Sequence, residues 1–203
     1  MPALTIALMG FLAFSAGPVA PPETAASVIA AEVATTTLAV AEAPTLIRPT
    51  EEEVYTVKLT SYNAVPEQTD HNPTVTASGV RTNPEIIAAR SIDLAAALPY
   101  GTVIELSRDA SDTASCGYGA VEHLIGYRVV ADSMHSRKRA QIDVLLNEAD
   151  TVTVSGKEVN PSIALGVCSG VKIRVLGKLD IADLPETQEE LRKLVEGNAL
   201  ALR

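Results

Sequence analysis

The chain predicts a mainly β fold, a small barrel with one or two short helices, and three observations carry that reading. Short segments of period-two alternation recur at irregular spacing, as half-buried strands do. Turn-forming clusters separate them: Asn83-Pro84, Pro99-Tyr100-Gly101, Gly117 and Gly119, Ser155-Gly156, and Ser169-Gly170. A parallel βαβ sheet would need several helices of about 10–15 residues between the strands, and none is found there. The 203 residues suit one such domain with tails at both ends.

Residues 1–20 read as a signal peptide or N-terminal anchor. Leu4 to Phe14 is an apolar run of 11 residues followed by the small residues Ser15, Ala16 and Gly17. A membrane span needs about 20, whereas a secretory core needs about 7–15. A basic segment ahead of the run is missing, and a buried N-terminal helix is the other reading. Residues 21–53 are rich in Ala, Thr, Pro and Glu and read as a flexible linker, although Ser27 to Val40 has the makings of a loose helix.

The character changes at Val54, which opens a domain read as 54–177. Tyr55, Val57 and Leu59 alternate with Thr56, Lys58 and Thr60, the pattern of a strand with one buried face. Further strands are expected over Val103–Leu106, Tyr127–Ala131, Ile142–Leu146 and Val171–Leu176. The tail, 178–203, is expected to hold a helix. Thr187 caps it with Glu190 three residues on, and Leu191, Leu194 and Val195 form its apolar stripe.

Composition excludes several functions. Only seven residues are aromatic (five Tyr, two Phe, no Trp), too few for a base-stacking platform. The net charge of −9 opposes binding a polyanion by counterion release, so no nucleic-acid partner is expected. That acidity is uneven. Residues 1–53 carry one basic against six acidic residues, 54–177 carry 11 against 13, and 178–203 carry 4 against 6. The central domain is therefore nearly neutral. His71, His123 and His135 are too scattered for a metal cluster, and no phosphate-binding, dinucleotide-binding or zinc-protease motif occurs, so no metal or other cofactor is expected. Cys116 and Cys168 form either one disulfide, in an exported chain, or two free thiols.

Two aspartates stand in apolar strands. Asp132 follows Val129-Val130-Ala131, and Asp143 lies between Ile142 and Val144. A carboxyl desolvated in such a setting is held protonated toward neutral pH, as a general acid requires. The opposing reading has strand alternation turn Asp143 outward into solvent while Ile142 and Val144 face in. The segment between them, Ser133 to Gln141, is basic. It either keeps one carboxylate ionised beside a protonated one or is a solvated loop.

The ordered motifs Thr60-x-Tyr62, Thr76-Ala77-Ser78-Gly79, Leu98-Pro99-Tyr100-Gly101-Thr102, Ala131-Asp132, Ile142-Asp143-Val144 and Ala164-Leu165-Gly166 resemble the three-aspartate (3D) domain. This is the catalytic barrel of membrane-bound lytic transglycosylase A and of stationary-phase muralytic enzymes. The eleven positions from Asp132 to Asp143 match the family interval between its second and third aspartates. The resemblance implies a six-stranded double-psi β-barrel that cleaves the β-1,4 bond between N-acetylmuramic acid and N-acetylglucosamine in peptidoglycan. It implies Asp143 as acid and then base, with the sugar's own 6-hydroxyl as nucleophile and a 1,6-anhydro product. Asp132 would be its electrostatic neighbour, and Tyr62, Thr76, Ser78 and Gly79 would line the substrate groove. It implies glycan strands as partner and an exported or membrane-tethered location facing the cell wall.

The chain departs from that pattern in places. Ser133 to Arg139 is charged and lacks the family's glycine loop. The first-aspartate position holds Leu94, with Asp93 one residue out of register; Arg90 and Ser91 would begin a small insertion restoring it. Thr151 to Pro161 is a second insertion. Tyr100 is read as a structural plug, and stacking on sugars would rest on Tyr62, Tyr118 or Tyr127. Two alternatives to the transglycosylase follow: a non-catalytic wall-binding module on the same barrel, and an ordinary hydrolase that uses water.

Overall fold

The computed structural model describes residues 44–70, 72–109 and 116–200, with side chains to 197. The apolar run Leu4–Phe14, the stretch Ser27–Val40 and His71 lie outside the described residues. The chain order is β1 (Val54–Tyr62), β2 (Ile87–Arg90), a 3₁₀ turn (Ile92–Leu94), β3 (Thr102–Ser107), α1 (Tyr118–Ile125), β4 (Tyr127–Ser133) and β5 (Gln141–Leu145). There follow β6 (Val152–Val154), β7 (Lys157–Val159), α2 (Pro161–Leu165), β8 (Cys168–Lys178) and α3 (Gln188–Leu200).

Six strands close a mixed barrel in the order β1-β5-β2-β4-β3-β8. β1 runs parallel to β5 and β2 parallel to β4, while the other pairings are antiparallel. Closure leaves the barrel itself no unpaired strand edge.

The strands are covered on both faces, so two apolar clusters form instead of one. Val57, Leu59, Ala88, Ile104, Val130, Ile142, Val144, Val171 and Ile173 pack with α1 and α2. The alternate residues Ile87, Ala89, Val103, Val129, Ala131, Leu145 and Leu176 pack with Leu46 and with Leu191 and Val195 of α3. This explains the barrel strand the alternation misses. β2 reads Ile87-Ala88-Ala89-Arg90 with all four residues buried, and a strand buried on both faces shows no polar alternation. Arg90 is thus strand, not inserted loop. Its Nε donates to Leu98 O at 2.7 Å, and its guanidinium stands 4.8 Å from the Tyr100 ring centroid, which fits Tyr100 as a plug.

Two turn signals have other meanings. Ser169-Gly170 lies inside β8, at a register shift against β1 where Gly170 takes φ +74°, and so marks a bulge. Gly119 sits in the first turn of α1, while Gly117 permits close helix packing: a Cβ there would lie 1.8 Å from Ala164 O of α2. The Pro99-Tyr100-Gly101 turn is as expected. Gly101 adopts φ +92°, and a Cβ would lie 2.3 Å from Leu179 O. Thr151 to Pro161 folds as the β6–β7 hairpin, with Ser155 and Gly156 both at positive φ as a two-residue turn requires.

The C-terminal helix forms as its capping box predicts. Glu190 N donates to Thr187 Oγ1 and Thr187 N to Glu190 Oε2, each at 3.2 Å. Its docking is a tertiary matter. Gln188 Nε2 donates to Tyr127 O at 2.6 Å while its Oε1 accepts from Tyr127 N at 3.1 Å, so one side chain pairs with both backbone groups of a β4 residue.

Cys116 and Cys168 are joined in a disulfide, with Cα atoms 5.3 Å apart and a sequence separation of 52. Such bonds persist in oxidising compartments, so the bridge points to an extracytoplasmic location. Among the described residues no helix is long and apolar enough to cross a membrane. Removing the bridge by Cys116→Ser with Cys168→Ala is expected to lower stability by about 2–4 kcal/mol, measured as a shifted urea midpoint. An unchanged midpoint would show that the closed loop adds nothing.

Candidate functional site

The two aspartates reach one cleft because β2 lies between their strands. Ala89 of β2 pairs with Asp132 of β4 on one side and with Asp143 of β5 on the other. Two strand spacings set their backbones about 9–10 Å apart, across a floor that only a methyl group occupies. Asp132 needs a device to get there. Strict alternation would send it to the Val130 side; a register shift in the β2–β4 ladder skips Ala131, pairing Ala88 with Val130 and Ala89 with Asp132. Such a bulge re-aims one side chain without breaking the barrel.

For Asp143, alternation holds and its consequence differs. Ile142 and Val144 are buried on the opposite face, as the outward reading required. The face Asp143 points from is not open solvent. It lines a cleft of about 500 Å3 with Tyr62, Asp132, Met134, His135 and Lys138. Burial raises the Asp143 pKa to about 6, opposed by the Thr60 hydroxyl and the Lys138 charge and assisted by the Asp132 charge. Thr60 Oγ1 donates to Asp143 Oδ1 at 2.7 Å.

Asp132 is differently placed. It accepts three hydrogen bonds, from Tyr62 Oη to Oδ2 and from the backbone N–H groups of Ala77 and Ser133 to Oδ1, each at 2.8 Å. The tyrosine hydroxyl is held in its donor form, since desolvation foremost and the Asp132 charge next push the Tyr62 pKa up. One carboxyl thus accepts from three donors, and the other from a single donor.

The remaining predicted groove residues divide. Tyr62 lines the cleft. Thr76 is buried, with its hydroxyl 3.0 Å from that of Ser78 and 3.1 Å from Val80 O. Thr76, Ser78 and Gly79 build the turn behind the wall, and it is Ala77 that the turn presents to Asp132 and the cleft. Asp93 stands elsewhere. Hydrogen bonds from Ser91 and then from Ala140 N, the latter at 2.9 Å, hold its carboxyl below the usual range, and they tie down the start of β5. Leu94 packs against the core. Tyr118 is buried and donates to Leu106 O at 3.0 Å, and Tyr127 packs in the second cluster, so neither is a sugar platform in this cleft.

The basic loop forms one wall. Met134 is anchored by its N–H to Arg90 O at 2.9 Å and by burial in the core, which leaves the cleft open. His135 Nδ1 accepts from Arg137 N at 3.2 Å, and both His135 and Lys138 line the cleft. Among the described residues no group of three or more His, Cys, Asp or Glu could hold a metal ion.

Two features escaped the sequence reading. Gln141 donates from Nε2 to Thr60 Oγ1 at 2.8 Å; the signal was its place two residues before Asp143, hence on the same strand face. Arg128 is fully buried, and an arginine directly before Val129-Val130 in a strand was the signal. No family model matches this chain, and no curated protein matches it.

Proposed function

We propose that this barrel is a peptidoglycan lytic transglycosylase in which Asp143 is the general acid and then the base. The observation that carries the reading is Asp143 itself: a carboxyl beside Asp132 in an open cleft, with its pKa raised by burial to about 6. A closed six-stranded mixed barrel suits the double-psi fold that the resemblance implies, and the disulfide suits an exported chain.

The chemistry is the one that the resemblance to the three-aspartate domain implies. Protonated Asp143 gives its proton to the glycosidic oxygen as the C1–O bond breaks. The positive charge developing at C1 and the ring oxygen is stabilised by the neighbouring Asp132 carboxylate. Asp143, now a carboxylate, takes the proton of the sugar's 6-hydroxyl as that oxygen bonds to C1. The acid is regenerated, a 1,6-anhydro end is formed and no water is consumed. A second catalytic carboxylate is unnecessary because the nucleophile belongs to the substrate.

Incubating the purified chain with glycan strands is expected to release anhydro-ended fragments, read by mass spectrometry. Reducing ends would mean a hydrolase. Co-sedimentation with insoluble peptidoglycan and no product would mean a binding module, the reading favoured by the charged loop His135 to Arg139.

Activity is expected to fall about tenfold per pH unit above pH 6, because only the protonated acid starts the reaction. Lys138→Met removes a charge that lowers the Asp143 pKa, so the falling limb moves to higher pH. A profile flat from pH 5 to 8 contradicts the assignment.

A further inference from the structure

We propose that Gln141 is a positioning residue: through the Thr60 hydroxyl it dictates that the acidic proton of Asp143 sits on Oδ2. The inference rests on the acid role proposed above, and its observations are geometric. Gln141 and Asp143 are two residues apart on β5, and the parallel partner β1 sets Thr60 directly beside Asp143. A chain of two hydrogen bonds runs from Gln141 Nε2 to Thr60 Oγ1 at 2.8 Å and from Thr60 Oγ1 to Asp143 Oδ1 at 2.7 Å.

The direction of that chain is forced. An amide nitrogen only donates, so Thr60 accepts from Gln141 and must spend its single proton on Asp143. Oδ1 is therefore an acceptor in both charge states of the carboxyl. The proton that Asp143 binds goes to Oδ2, which among the described residues makes no hydrogen bond. The backbone of Gln141 is held and the residue is buried: its main-chain N–H donates to Ser91 Oγ at 3.1 Å, and its main-chain carbonyl accepts from Ser91 N at 2.9 Å. The charged and titratable groups around Asp143 are Tyr62, Asp132, His135 and Lys138, with Glu67 and Asp70 also lining the cleft, and none of them bonds to Thr60 or Gln141.

The test reads the Asp143 carboxyl directly, by carbon-detected NMR titration of the full chain without glycan. Gln141→Glu replaces the donor with an acceptor, so the Thr60 hydroxyl turns round and Asp143 must donate through Oδ1. The titration is expected to move upward by about one pH unit or more. In a Thr60→Val background the same change acts through its charge alone and must move the titration by at least about half a unit less. In a Thr60→Ser background, which keeps the hydroxyl, the larger movement must return. Equal movement in all three backgrounds overturns the proposal.

Should Gln141→Glu fail to fold, Gln141→Leu frees the hydroxyl to turn away. Thr60→Val must then move the Asp143 titration less than it does beside Gln141, and an undiminished effect overturns the proposal equally. A chain that shows the coupling but releases no anhydro ends keeps the relay and loses the glycan reading. A chain that cleaves without the coupling does the reverse.

Discussion

Asp143→Asn is expected to abolish glycan cleavage, by about 10³-fold or more, because it removes a proton donor and the base that follows it in one change. Asparagine keeps the shape and can still accept from Thr60 through its carbonyl oxygen, so the loss is chemical. The same variant carries a stability signature of opposite sign. Burial holds the folded-state pKa of Asp143 at about 6, well above the ordinary aspartate range, so folding favours the protonated form. That preference is harmless below about pH 4, where the carboxyl is protonated in both states. As pH rises from about 4 to about 6 the unfolded chain ionises this carboxyl while the native state keeps it protonated, so stability falls; above about pH 6 the native state too holds the charge, in a dry site. By linkage the cost above pH 6 is about 3 kcal/mol. Asp143→Asn should therefore be more stable than wild type at pH 8 and no more stable at pH 4, as urea midpoints will show. A variant that keeps full activity, or whose stability difference ignores pH, refutes the buried-acid assignment.

Arg128→Met is expected to cost about 3–5 kcal/mol of folding stability, because it strips a hydrogen-bond donor from four backbone carbonyls at once. Arg128 is fully buried on β4, and desolvation, its dominant influence, lowers its pKa to about 9. No carboxylate bonds to it. Its guanidinium donates to four carbonyls: Ile125 O at 2.5 Å, Leu124 O at 2.5 Å, Pro84 O at 2.6 Å and Leu145 O at 3.1 Å. These acceptors belong to the end of α1, the run into β2 and the end of β5. Methionine fills much of the volume but leaves all four without that donor, and each buried unpaired carbonyl costs about 1–3 kcal/mol where water cannot replace it. Arg128→Lys keeps the charge but not the fork that spans these carbonyls, and it should recover only part of the loss. A urea midpoint for Arg128→Met within error of wild type would mean that water satisfies the carbonyls.

The pattern of the strands was legible where one face differs from the other. In β1 Val57 and Leu59, and in β8 Val171 and Ile173, are buried between more exposed neighbours, as period two puts them. β2 was illegible because both its faces are covered, so its four residues carry no contrast. Ser169-Gly170 misled because a bulge glycine and a turn glycine answer to the same positive φ, and only pairing with β1 tells them apart. The site followed the same rule. Asp132 and Asp143 stood out as carboxyls among valines and isoleucines, whereas the roles of Gln141 and Arg128 depend on acceptors supplied by other strands and loops.

What the sequence determined by itself is local. Alternation placed five of the six barrel strands, Thr187 and Glu190 began the last helix, and the apolar neighbours of two aspartates marked them as costly to charge. Tertiary structure decided whether that cost leads anywhere. Insertion of β2 between β4 and β5, with a one-residue bulge, turned two carboxyls on strands adjacent in sequence but not in space toward one cleft. Closure of the barrel made the far side of β5 a partly dry wall, not a solvated surface. Period two tells which side of a strand a residue takes; what covers that side is fixed by contacts from distant parts of the chain.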